Sequence, residues 1–111
     1  MQKGQSEKLI QKINDALRPY EPDRVYIFGS LARGEADELS DVDLVIIKHT
    51  TEPFWDRLRE ASRLFSGTIR KGADILVYTP EEFADMLARG NAFAEMIMEE
   101  ARLIYERQTQ G

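Results

Sequence analysis

Cysteine is absent from this chain of 111 residues. That excludes disulfides, thiolate metal sites and cysteine nucleophiles. Histidine is almost absent: His49 stands alone, in a Lys-His-Thr-Thr segment that reads as an exposed loop and argues against a catalytic imidazole. Basic residues are the minority, 15 against 20 acidic, for a net charge of −5. A protein that grips nucleic acid through its phosphates needs a basic surface, so a stable non-specific nucleic-acid binder or template-gripping polymerase is disfavoured. That balance says little about binding a single nucleotide. No apolar run approaches the length of a membrane span, and the opening Met-Gln-Lys-Gly-Gln-Ser-Glu-Lys does not resemble a signal peptide. Together with the lack of cysteine this fits a cytoplasmic protein. Internal repeats, low-complexity tracts and linkers are lacking too, and the length suits one domain spanning 1–111.

What is present is an ordered alternation of helical and strand patterns. Leu9, Ile10, Ile13, Ala16 and Leu17 recur at helical spacing and predict a helix over Ser6–Arg18, with Ser6 as N-cap and Pro19 past its end. Arg24–Phe28 reads as a short buried strand ended by Gly29. Ser30 is expected to cap a helical turn through Leu31-Ala32-Arg33 that Gly34 ends, and the polar stretch from Glu35 to Ser40 reads as loop. Val42–Lys48 predicts a strand buried on both faces. Pro53 opens a helix with a Phe54, Leu58, Ala61, Phe65 stripe that stops near Gly67. Ala73–Thr79 is a third strand, Pro80 to about Arg89 a helix, and Asn91 caps another helix through Glu100. Arg102–Glu106 is either a final strand or a continuation of that helix. The expected fold is α/β (α+β), a small mixed sheet packed with helices.

The chemistry lies between Val25 and Ile47, which reads V-Y-I-F-G-S-L-A-R-G-E-A-D-E-L-S-D-V-D-L-V-I-I. Residues i and i+2 of a strand point to one side, so Asp41 and Asp43 can aim both carboxylates at one point. Two anions that close repel unless a cation or proton lies between them. Oxygen ligands in this number suit Mg²⁺, which takes one or two protein carboxylates and completes its shell with water and substrate phosphates. The alternative is structural, with Asp41 capping a turn and Asp43 meeting an arginine. The metal reading is favoured because Asp43 opens a deeply apolar run, where a carboxylate needs a compensating charge or ligand. Asp74 precedes Ile75-Leu76-Val77-Tyr78 in the same way, and would complete a three-carboxylate cluster if the two strands are neighbours; otherwise it is a capping or loop residue. Gly29 allows a tight turn, and Ser30 can both cap a helix and place its hydroxyl and nearby N–H groups toward an anion. Arg33 could reach nucleotide phosphates or neutralise the aspartates. Ser40 is read as a turn residue.

Gly29-Ser30, ten residues, then Asp41-Val42-Asp43, with a later Asp74, resembles the signature of the nucleotidyltransferase superfamily that includes DNA polymerase β. Length and spacing are most similar to its minimal nucleotidyltransferases, stand-alone members that pair with a helical HEPN protein. The resemblance implies that Asp41, Asp43 and Asp74 bind two Mg²⁺ ions and are the catalytic residues, and that Gly29, Ser30 and Arg33 bind nucleotide. It implies transfer of AMP from ATP to a hydroxyl, by this subfamily's habit a tyrosine of a HEPN toxin, so that the chain would be the antitoxin of a type VII-like pair. Two alternatives stay open: a catalytically idle antitoxin acting by contact, and transfer to a small molecule such as an aminoglycoside, for which 111 residues leave little room. Trp55 could stack on a base, though packing beside the core stripe is the simpler expectation. Met86, Phe93, Met96, Ile97 and Met98 form an apolar cluster that either covers the sheet or, over Phe93–Met98, offers a partner contact.

Overall fold

The computed structural model describes residues 3–29, 42–65 and 73–107. Helix α1 (Lys3–Leu17) runs into a 3-10 turn (Arg18–Tyr20), then come β1 (Arg24–Phe28), β2 (Val42–Ile47), α2 (Phe54–Phe65), β3 (Ala73–Tyr78), α3 (Pro80–Ala88), α4 (Ala92–Glu100) and β4 (Arg102–Glu106). The strands form one mixed sheet in the order β3-β2-β1-β4, in which β2 and β3 are parallel and the other two pairings antiparallel.

Each helix starts and stops for a local reason. In α1, Ile10, Ile13 and Leu17 fall on one face and are buried; each such side chain contributes about 1.5–3 kcal/mol through burial. The helix starts at Lys3, so Ser6 lies inside it and is not the expected N-cap. In α3, Thr79 and Glu82 form a reciprocal capping box, with Glu82 N–H donating to the Thr79 hydroxyl and Thr79 N–H to the Glu82 carboxylate. Asn91 caps α4 by accepting from the Ala94 N–H at 3.0 Å. The two readings of Arg102–Glu106 resolve as strand. Ala101 turns extended (φ −76°, ψ 154°), and the segment pairs with the side of β1 that β2 leaves open. The expected turn over Leu31–Arg33 and loop over Glu35–Ser40 lie outside the described residues.

Strand alternation divides the core. Val25, Ile27, Val42, Leu44, Ile46, Ile75 and Val77 face α1 and α2, while Tyr26, Val45 and Ile47 face α3 and α4. Strand β2 is covered on both faces, as its run of Leu44-Val45-Ile46-Ile47 predicts. Buried Arg57 ties three elements together, donating to Glu52 and Val77 carbonyls and holding the Glu82 carboxylate with both terminal nitrogens at 2.7 and 3.1 Å. That clamp fixes the end of β3 between α2 and α3.

Candidate active site

Because β1 runs antiparallel to β2 and β3 runs parallel to it, the end of β1 and the starts of β2 and β3 meet at one end of the sheet. Phe28 stands opposite Asp43, and Asp43 is in register with Asp74. Adjacent strands are about 4.8 Å apart, so the two carboxylates are side-by-side neighbours on the face that Val45 and Leu76 share with α3 and α4. Asp43 is half-buried and Asp74 exposed. The sequence left open whether the strands carrying these residues adjoin, and the topology places them together.

Gly29 supplies the next piece. It leaves β1 with φ of +77°, a conformation L side chains rarely adopt. A Cβ built there would lie 2.6 Å from Asp43 Oδ2 and 3.6 Å from its Cγ. The carboxylate therefore packs against the glycine backbone in space that any side chain would take. Two adjacent acidic side chains, one of them seated against a glycine turn, form a donor set of hard oxygens that suits a divalent cation. Asp41, Ser30 and Arg33 lie outside the described residues. Among the described residues, no group of three or more acidic, histidine or cysteine side chains gathers in metal-holding geometry.

Other candidates fall elsewhere. His49 sits beyond the opposite end of β2, with its Nδ1 2.8 Å from Asp23 Oδ2 and its amide donating to the same oxygen. Trp55 is 72% exposed, so it neither packs into the core nor reaches the carboxylates; its neighbour Phe54 makes the inward contact, 6.2 Å from the Tyr78 ring at the far end of β3. In the methionine-rich cluster, Ile97 is buried, and Met86, Phe93 and Met96 pack on the core, whereas Met98 is 50% exposed. Phe93 has a second role that spacing did not disclose. Its ring meets Phe28 edge to face, with centroids 5.7 Å apart and planes at 82°, beside the carboxylate row.

Among the described residues, the framework carries clear shifts in proton affinity. The Arg57 guanidinium holds the Glu82 carboxyl below its usual range, and burial pushes the Tyr20 hydroxyl up to about 12. A cleft of about 430 Å³ opens at the far end, floored by Ile47, Phe83 and Leu87 and rimmed by Arg24, Glu106 and Arg107. Its rim charges are already committed, as Arg24 to Glu106 at 3.2 Å shows. No helix among the described residues is long and apolar enough to cross a membrane.

The family described as polymerase beta, nucleotidyltransferase matches residues 11–110. A search of curated proteins gives no match. Among solved structures, a Sulfolobus solfataricus protein provisionally described as a nucleotidyltransferase superposes with a TM-score of 0.60 at 21% identity, over 92% of this chain and 84% of that one. A toxin–antitoxin crystallised with AMP-PNP superposes with a TM-score of 0.64 at 20% identity, over 89% of this chain and 74% of that one. A mutant of the toxin–antitoxin MntA-HpeT gives 0.58 at 19% identity over the same shares. At these identities the structural likeness establishes the fold.

Proposed function

The chain belongs to the polymerase β nucleotidyltransferase family, and from that premise we propose that it is a minimal nucleotidyltransferase, a Mg²⁺-dependent enzyme that moves AMP from ATP to a hydroxyl of a partner protein. The observation that carries this reading is the row Asp74–Asp43 beside Gly29, with a carboxylate oxygen 2.6 Å from where a Cβ would be. Two like charges held side by side favour a structure in which a cation joins them. Asp41, one strand repeat before Asp43, adds a third carboxylate by the alternation of a strand.

In this reading Asp41 and Asp43 hold the ion that carries the triphosphate, and Asp74 shares the second with the same pair. When bound, the two Mg²⁺ ions neutralise the triphosphate and leaving oxygens and acidify the acceptor hydroxyl. Gly29 keeps the Asp43 carboxylate in its seat, and Ser30, next in sequence, would offer its hydroxyl and N–H to the β and γ phosphates. Arg33 adds positive charge toward them. Asp74, exposed on the outer side of the row, faces the acceptor's approach. No side-chain nucleophile is needed, which agrees with a chain that has no cysteine and a lone histidine away from the site.

The toxin–antitoxin structures that share the fold support an antitoxin role with a toxin as partner; a HEPN-type toxin and a tyrosine acceptor are what the resemblance to the minimal nucleotidyltransferases adds to this reading. A domain this small leaves the acceptor's own surface to complete the site. The test is incubation with Mg²⁺, α-labelled ATP and the product of the adjacent gene. Label should appear on a hydroxyl side chain of that partner, and the double variant Asp41→Asn/Asp43→Asn should bind the partner yet transfer nothing. A tightly bound partner that stays unlabelled by wild-type protein would replace modification with inhibition by contact alone.

A further inference from the structure

The catalytic row has two unlike sides. Asp74 lies on one side of Asp43, exposed and polar, and Phe28 lies on the other, opposite Asp43 in the β1–β2 register. Phe93 extends that second side by packing edge to face on Phe28. Neither ring is fully buried, and in the same layer Leu76, Met86 and Met96 are also only partly buried, while Tyr26, Val45, Ala94 and Ile97 are buried. The layer is thus closed along its middle and partly open around its margin, and the aromatic pair forms the part of that margin next to Asp43. The exposed aromatics among the described residues lie elsewhere, Trp55 at the opposite end of the strands and Tyr105 on β4 opposite Val25.

Chain order decides what this wall can face. Gly29, the turn assigned to the triphosphate, follows Phe28 directly, so nucleotide belongs on the β1 side of Asp43 and the acceptor on the Asp74 side. We propose that Phe93, backed by Phe28, is the surface on which the nucleoside of the bound nucleotide packs, and that it supplies affinity with no reading of the base. A phenyl ring has no hydrogen-bond donor or acceptor, whereas every base has a π-face, so such a platform holds purines and pyrimidines through the same contact. This inference rests on the nucleotidyltransferase reading and deepens it by naming what holds the substrate's organic half.

Calorimetric titration with two probes separates the two claims. Binding of Mg-tripolyphosphate and of MgATP by the wild-type protein tests the metal and phosphate site, and failure there overturns the function together with this inference. Phe93→Ala tests the inference alone. It should weaken MgATP about tenfold, on the scale of removing one aromatic platform, and change Mg-tripolyphosphate less than about twofold, since that probe has no ring to stack. Phe93→Trp should restore MgATP affinity. Phe93→Leu keeps apolar volume without a ring and decides the matter if the alanine variant does not fold; it too should weaken MgATP selectively. ATP, GTP and CTP should bind wild type within a few-fold of each other, because stacking is tolerant of base identity. Equal loss of both probes in the folded variant would make Phe93 a structural residue. Unchanged MgATP affinity with slowed transfer would move the wall to the acceptor, and strict choice of one base would place the nucleoside against polar groups. Each of these outcomes overturns the proposal.

Discussion

At one end of the sheet Asp43 and Asp74 stand as like-charged neighbours beside Gly29; at the other, Asp23, Arg24, His49, Glu106 and Arg107 are set against one another. Ile47 lies four residue steps along β2 from Asp43, about 13 Å. The far end has the 430 Å³ cleft, the lone histidine and the exposed tryptophan, features that would draw attention to it. Yet its charges compensate each other, and compensated charges have little left for a ligand. The near end instead sets two carboxylates on neighbouring strands against a glycine turn, and that placement is what the proposed chemistry rests on. Cavity size and aromatic exposure point to the opposite end from the one proposed here.

Substitutions can break this contrast, and the largest effect is expected at Asp43. Asp43→Asn should lower nucleotidyl transfer by roughly a thousandfold or more, the scale for removing a group that acts directly on transition-state charge. MgATP titration should lose its metal-dependent part while the circular dichroism spectrum is kept. Equal MgATP affinity in wild type and variant would remove Asp43 from the metal site. Gly29→Ala comes next. The added Cβ collides with Asp43 Oδ2, and the positive φ strains any side chain, at a cost of about 1–2 kcal/mol for the backbone. Metal affinity measured with Mn²⁺ should fall at least tenfold, by the same reasoning that one displaced ligand costs more than 1.4 kcal/mol. A variant that binds Mn²⁺ as wild type does would show that the glycine serves the turn alone.

The far end should respond in stability and not in binding. Arg57→Ala breaks a clamp whose guanidinium is buried and whose carboxylate partner is nearly half exposed, so a loss of roughly 2–3 kcal/mol by urea unfolding is expected, below the full cost of a buried pair. MgATP affinity should hold unless displacement of β3 carries Asp74 with it, which would couple the two ends. The same pair sets an acid limb. Glu82 has a depressed affinity for protons in the folded state, chiefly through its hydrogen bonds from Arg57. Its contribution is therefore complete above the ordinary carboxylate range near 4.5 and is lost as pH falls through the lower folded value. Glu82→Gln should flatten the decline in stability below about pH 4.5, and an unchanged acid limb would assign it to other carboxylates. His49→Ala should be the mildest change, leaving transfer within about twofold, as for a surface position away from the site. A larger loss would bring the far end into the mechanism.

Most element boundaries were legible because periodicity and punctuation agree. β1 is bounded by Arg24 and Gly29 as read, β2 and β3 fall within one residue of expectation, and the Thr79 and Asn91 caps fix α3 and α4. Where local signals were weak, the reading slipped. Ser6 looked like a cap, but α1 begins at Lys3, and Trp55 turned outward because Phe54 takes the inward contact with Tyr78. Of the candidate site, the sequence itself singled out Asp43 and Asp74, each opening an apolar strand, with Asp41 at the spacing that would share a face with Asp43 in a strand. Side-chain direction along a strand is a local property, fixed by a period of two. Three facts are not local, and tertiary structure alone decided them: that β3 lies beside β2 in the register that sets Asp74 against Asp43, that the Gly29 turn folds back onto the Asp43 carboxylate, and that Phe93, fifty residues from Asp43 in sequence, closes the aromatic side of the row. Strand order and helix docking are set by burial summed over the whole core, and no short stretch of sequence holds that sum.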